Sequence, residues 1–151
     1  LKVDPRKSML FNPEESIDFQ GNTGPFIQYT YASIQSILKR AKMLKIDFKG
    51  LNFDNVNKLS FNEKRIIDLI LKHRNNLKKS AETYSPSLLC NYVYDLSKTY
   101  NSFYQDEKIF DGKNNETTSF KIALSDMTAN VIRESLNTLG MDVVNKMWWN
   151  L

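Results

Sequence analysis

Residues 23–45, TGPFIQYTYASIQSILKRAKMLK, decide the fold. Thr23 can accept hydrogen bonds from the free N–H groups of a first helical turn, and Pro25 suits that turn because its missing N–H costs nothing there. Ile27, Tyr31, Ile34, Leu38 and Ala41 then recur at steps of three and four. At about 100° per residue they form one apolar stripe, so the spacing predicts a helix over 24–45 that buries this face. The same wheel carries a second signal. With Phe26 at zero, Tyr29, Ser33 and Arg40 fall within about 60° of it, whereas the core stripe centres near about 100°. Two aromatic rings and an arginine are thus offered on a face distinct from the main core. Rings outside a core can stack on unpaired bases while nearby Lys and Arg hold phosphates. Packing of Phe26 and Tyr29 on a neighbouring helix or on the lead-in is the alternative, and the wheel alone favours it.

Working outward, residues 1–23 read as an extended or turning lead-in punctuated by Asp4-Pro5, Asn12-Pro13 and Gly21-Asn22. Ser8–Phe11 and Ile17–Phe19 are candidate short strands within it. Residues 46–59 lose the helical period and read as a connector. Ser60 with Glu63 forms a capping box ahead of Ile66, Ile67, Leu69 and Ile70, and the pattern continues through Leu71, with room for a break, towards Glu82. Ser85-Pro86 starts a further helix by the same capping logic, with Leu89, Tyr92, Val93, Leu96, Tyr100 and Phe103 as its stripe. Polar residues 105–117 predict a loop turning at Asp111-Gly112. The last main helix runs from about Thr118 to Leu139, burying Phe120, Leu124, Met127 and Val131. Gly140 is its left-handed cap, and Asp142 caps a short turn through Met147. The fold class is therefore all-α, a helical bundle of about five helices with an extended N-terminal lead-in.

Composition narrows the function classes. An excess of 21 Lys+Arg over 17 Asp+Glu permits a nucleic-acid partner without demanding one. The basic residues cluster as Lys39, Arg40, Lys42, Lys45 and as Lys72, Arg74, Lys78, Lys79, and either cluster alone reads as a solvated helix face. Cys90 and His73 stand alone in the chain, which excludes an intrachain disulfide and a structural zinc site. Cys90 is expected to be buried and His73 exposed on its helix. No apolar run approaches the ~20 residues that span a bilayer. Scattered glycines give neither a Walker-type nor a dinucleotide fingerprint. The acidic trio Glu14, Glu15 and Asp18 reads as solvated. Catalysis by this chain alone is not expected. Leu1 in place of an initiator methionine leads to the expectation that the chain is cut from something longer.

The run Asp18-Phe19-Gln20-Gly21-Asn22-Thr23-Gly24-Pro25-Phe26-Ile27-Gln28-Tyr29 resembles the junction in arginyl-tRNA synthetases between the catalytic and anticodon-binding domains, and Thr30 to Ala41 continue the likeness. Pro86, Asn91–Leu96 and Asn101–Tyr104 are similar to a helix of that family's DALR-type anticodon-binding domain, and Leu139-Gly140-Met141 with Met147 to its carboxy terminus. The resemblance covers essentially the whole chain. It implies that residues 1–23 end a catalytic domain or connector and that 24–151 form the helical anticodon-binding domain. These class I enzymes attach arginine to its tRNA using ATP and magnesium. Their HIGH-type and KMSK-type signatures are absent here and belong upstream of Leu1, so the resemblance implies no catalytic, cofactor or metal site in this fragment. The partners it implies are the tRNA(Arg) anticodon stem-loop and the chain's own catalytic domain, in a cytoplasmic monomer.

Positions matching the family's anticodon-contacting pattern are Phe26, Tyr29, Ser33, Tyr104 and Met147. Three departures from the family's usual residues matter. Phe26 replaces a tyrosine, which keeps stacking and loses a hydroxyl. Tyr31 stands where histidine is common. Ser33 stands where arginine is common, so Arg40, one helical face along, is the candidate substitute for the lost cation. Trp148 and Trp149 extend past the methionine that usually ends the chain. Two other readings compete: a helical module that docks a protein, and the anticodon domain of another class I enzyme such as a cysteinyl-tRNA synthetase.

Overall fold

Local chemistry marks several of the helix ends. The computed structural model describes residues 3–4, 6–8, 12–16, 21–49, 58–110 and 115–147. A single turn, α1 (Pro13–Ser16), precedes α2 (Gly24–Met43), where Thr23 Oγ1 accepts the Phe26 N–H at 3.3 Å. The end of α2 comes two residues before the expected one. Lys45 adopts the left-handed φ of 54°, its N–H returns to the Lys42 carbonyl at 3.1 Å, and the Ile46 N–H returns to Ala41 at 3.0 Å. This is the Schellman pattern with a lysine in the place glycine usually fills.

Next, α3 (Phe61–Leu71) opens with the expected capping box. Ser60 Oγ accepts from the Glu63 N–H at 3.1 Å and Glu63 Oε2 from the Ser60 N–H at 2.8 Å. The break falls at Lys72, after which α4 (His73–Glu82) restarts. Then α5 (Pro86–Asp106) and α6 (Asn115–Thr138) complete the bundle, so the loop expected over 105–117 is shorter than its polarity suggested. Polar residues do not break a helix when one face still packs. Ser85 corrects another expectation: instead of capping α5, its Oγ meets Asp4 Oδ2 at 3.1 Å and Ser87 Oγ at 3.0 Å. Gly140 has the left-handed φ of 76°, as read, but residues 141–147 do not form the helical turn expected of Asp142–Met147. The strand candidates lie outside the described residues apart from Ser8, and so do Trp148 and Trp149.

The long helices pack around α5, which touches α2, α3, α4 and α6. Ile34, Ile66, Val93, Leu96, Phe103, Ile122, Ile132 and Leu136 are all 0% exposed and make the centre. Two tyrosines bridge elements through this core. Tyr92 donates to the Leu69 carbonyl at 2.9 Å, and Tyr100 to Ser125 Oγ at 2.8 Å. Cys90 is buried as expected. Met127 is not. It is 52% exposed, because Ser125 and Thr128 take the inward positions and return their hydroxyls to the Lys121 and Leu124 carbonyls. His73 is half-buried rather than exposed: its ring stacks on Tyr92 at 5.9 Å and its Nε2 lies 3.3 Å from Ser135 Oγ. An amphipathic ring at the start of α4 can thus cover α5 while keeping a polar partner.

Burial pushes the Tyr92 and Tyr100 phenols well above the ordinary value of 10.0. Their neutral form is the one that folding keeps, so stability is fully present below that value and falls as the pH rises past it. Urea midpoints measured from about pH 8 to about pH 11 should drop steeply at the alkaline end, and the double variant Tyr92→Phe/Tyr100→Phe should flatten that drop.

Candidate functional site

One flank of α2 and the end of α5 leave an open groove of about 690 Å³ between them. From α2 come Tyr29, Ser33, Ser36, Ile37 and Arg40; Tyr104 and the segment 105–110 form the other wall. The core sets this spacing. Thr30 and Ile37 are buried on α2, Phe103 and Ile109 on the opposite wall, and Asn101 Nδ2 donates across to Thr30 Oγ1 at 3.1 Å. Tyr29 and Tyr104, next to those buried anchors, are 43% and 51% exposed. Both rings therefore keep a face available to a planar ligand.

The segment after α5 is fixed from α6. Lys121 Nζ binds Glu107 at 2.9 Å, with both side chains mostly buried, and donates to the Lys108 carbonyl at 3.2 Å. Asp106 accepts from Asn62 Nδ2 at 3.0 Å. Above the half-buried Phe110 ring, the Arg40 guanidinium sits 4.6 Å from the centroid. Such a contact is worth about 0.5–1 kcal/mol at an exposed site and seats the guanidinium over the ring. Among the described residues the groove offers Arg40 and Lys108 against Asp106 and Glu107, two of each sign, beside aromatic and hydrogen-bonding groups.

Of the residues singled out from sequence, Tyr29, Ser33, Arg40 and Tyr104 come together around this groove. Phe26 and Met147 are not among its lining residues. For Phe26 the packing alternative is what the structure contains: the ring lies 5.3 Å from Tyr94 of α5 and is half-buried against the core. Its wheel position borders Thr30 and Ile37, which explains why it turns inward. Sequence reading missed Ser36, Gln105, Lys108 and Phe110. The pair Ile109-Phe110, apolar within a polar stretch, was the available signal.

Met147 lies half-buried in the tail that follows Gly140, and a further missed residue holds that tail. The Gln28 side-chain amide donates to the Asp142 carbonyl and accepts from the Val144 N–H at 3.1 Å. A primary amide matches a peptide group in both donor and acceptor, so Gln28 pairs with the chain as a neighbouring strand would. Among the described residues there is no group of His, Cys, Asp and Glu able to hold a metal ion, and no helix long and apolar enough to cross a membrane.

Comparison with known proteins meets this geometry from outside. Residues 27–147 match the family described as the DALR anticodon binding domain. A relative from Flavobacterium psychrophilum, named arginine–tRNA ligase, is 47% identical over 151 residues, covering 97% of this chain and 24% of that protein. A relative of the same name from Bacteroides thetaiotaomicron is 47% identical over 147 residues with the same coverages. The chain thus spans about a quarter of the length of the curated relatives it matches. In fold it is similar to the Thermus thermophilus arginyl-tRNA synthetase, with a TM-score of 0.83 at 21% identity over 97% of this chain and 25% of that one.

The tail clamp has a measurable consequence. Gln28→Ala should speed hydrogen exchange at the Val144 amide by roughly fivefold, since a lost hydrogen bond is worth about 1 kcal/mol. Amides of α5 should be unaffected.

Proposed function

The chain belongs to the DALR anticodon binding domain family, and from that premise we propose that it binds the anticodon stem-loop of tRNA(Arg) for an arginine–tRNA ligase. The observation that carries the reading is the convergence of Tyr29, Ser33, Arg40 and Tyr104 on one groove from two helices distant in sequence. Unpaired loop bases stack on the half-exposed Tyr29 and Tyr104 rings, each base contributing about 1–3 kcal/mol. The Ser33 hydroxyl offers a neutral hydrogen bond, and Arg40, seated over the Phe110 ring, takes a phosphate. Phe26, packed against Tyr94, and Met147 on the clamped tail are the outer members of the proposed contact set. The central cytosine of the arginine anticodon is the base whose identity this site helps to read.

In this reading the chemistry belongs to the rest of the ligase. An upstream catalytic domain activates arginine with ATP and magnesium and transfers it to the tRNA end, and that domain is also the chain's covalent partner. The enzyme acts as a monomer in the cytoplasm. Residues 1–23 form the connector to the catalytic domain, and 24–151 make up the binding domain.

Fluorescence anisotropy with a labelled arginine anticodon stem-loop, beside a control whose central cytosine is changed, tests the reading. Binding should prefer cytosine and weaken with salt. Tyr29→Ala should cost roughly 1–3 kcal/mol in affinity, with circular dichroism showing the variant folded. Arg40→Gln should make the salt dependence shallower by about one phosphate contact and leave base preference nearly intact. Binding indifferent to RNA and seen only with a protein partner would instead identify a docking module. Tighter binding of a cysteine anticodon loop would assign the domain to a cysteinyl enzyme.

A further inference from the structure

A second groove, of about 610 Å³, runs along the other flank of α2. Gln35, Leu38, Lys39 and Lys42 supply one wall and the segment Lys45–Lys49 the other. Leu38, Ile46 and Phe48 pack half-buried against the core and make an apolar floor. Around it stand Lys39, Lys42, Lys45 and Lys49, all exposed. Among the described residues its lining holds a single carboxylate, Asp47, whose Oδ1 already accepts the Lys49 N–H at 3.0 Å. Ser119 of α6 donates to the Asp47 carbonyl at 2.8 Å, so the lysine-bearing segment is pinned to the bundle.

The ordinary explanation for cations here is the negative end of the α2 dipole, and it covers Arg40 and Lys42 in the last turn. It does not cover Lys45. That residue holds the left-handed cap at φ 54°, where glycine is favoured and a side chain is strained. Nor does it reach Lys49, beyond the helix. A lysine held at a strained position points to a use for its charge. On the α2 wheel the two grooves lie about 140° apart, on opposite sides of the core stripe. The helix between them is only about 10–12 Å across with its side chains.

We propose that this lysine-lined groove is a second RNA contact, holding the sugar–phosphate backbone of the RNA whose loop occupies the Tyr29–Tyr104 groove. The inference rests on the anticodon-binding reading. The two surfaces divide the work: the Tyr29–Tyr104 groove reads bases, and the lysine groove supplies attraction independent of sequence.

The test uses the labelled arginine anticodon stem-loop, its cytosine-changed control and a salt series from about 50 to about 200 mM. Lys42→Gln/Lys45→Gln should bind about tenfold more weakly at the low-salt end. Its log–log salt slope should be shallower by about one for each lysine lost, with the preference for cytosine retained. Lys45→Gly should melt at the same or a higher temperature than the parent while binding RNA more weakly, a combination that a purely structural lysine would not give. If wild-type binding prefers cytosine but neither variant changes affinity or slope, the lysine groove takes no RNA and the anticodon reading stands without it. Loss of cytosine preference in the double variant would also overturn the proposal, because the groove would then be reading bases. Failure of the wild-type chain to bind the stem-loop at any salt would remove both readings together.

Discussion

A helix packed by neighbours on several sides must hide polar groups as well as apolar ones, and α5 is such a helix. Ser97 and Thr99 are buried on it and return their hydroxyls to the carbonyls of Val93 and Asp95 at 2.8 Å. The polar ends of Tyr92 and Tyr100 reach partners on α3 and α6. Because a buried donor without a partner costs about 1–3 kcal/mol, this arrangement constrains which helices can surround α5 and in what register. The position of α2 beside α5 follows, secured by the contact from Asn101 to Thr30. The groove between Tyr29 and Tyr104 is therefore a by-product of core packing, and its width is set by residues buried in that packing.

Much of this was legible in the sequence where one short pattern carries one physical cause. Thr23 and Pro25 mark the start of α2, Ser60 with Glu63 marks α3, and Gly140 marks the chain's exit from α6, each by satisfying or closing a helix end. The failures share a different cause. Met127 was read inward because it is apolar, yet Ser125 and Thr128 hold the inward face by bonding to their own helix. Small hydroxyl residues are ambiguous in a binary reading of polarity, and α6 is rich in them. Ser85 and His73 were misread because their partners, Asp4, Tyr92 and Ser135, are remote in sequence or on other helices.

The candidate site divides along the same line. Tyr29, Ser33 and Arg40 share a helix, so their common face could be computed from spacing. Tyr104 could be joined to them only through resemblance, because no local pattern says that the end of α5 returns to α2. Phe110 had only the faint signal of an apolar pair in a polar stretch, although its ring lies beneath the Arg40 guanidinium. Gln28 was quoted within a motif without a role. Its role exists only once the chain beyond Gly140 has come back across α2.

At Gln28 that return is held through two backbone groups, the carbonyl of Asp142 and the N–H of Val144, while Met141 and Val143 pack against the core. The identities of the side chains at 142 and 144 are therefore irrelevant to the clamp. Residues there can drift in size and charge without loosening the tail, provided that position 144 is not proline, which has no N–H to give. Sequence variation in this segment and fixity of its path are compatible, so the tail can change what it presents to a partner without changing where it presents it.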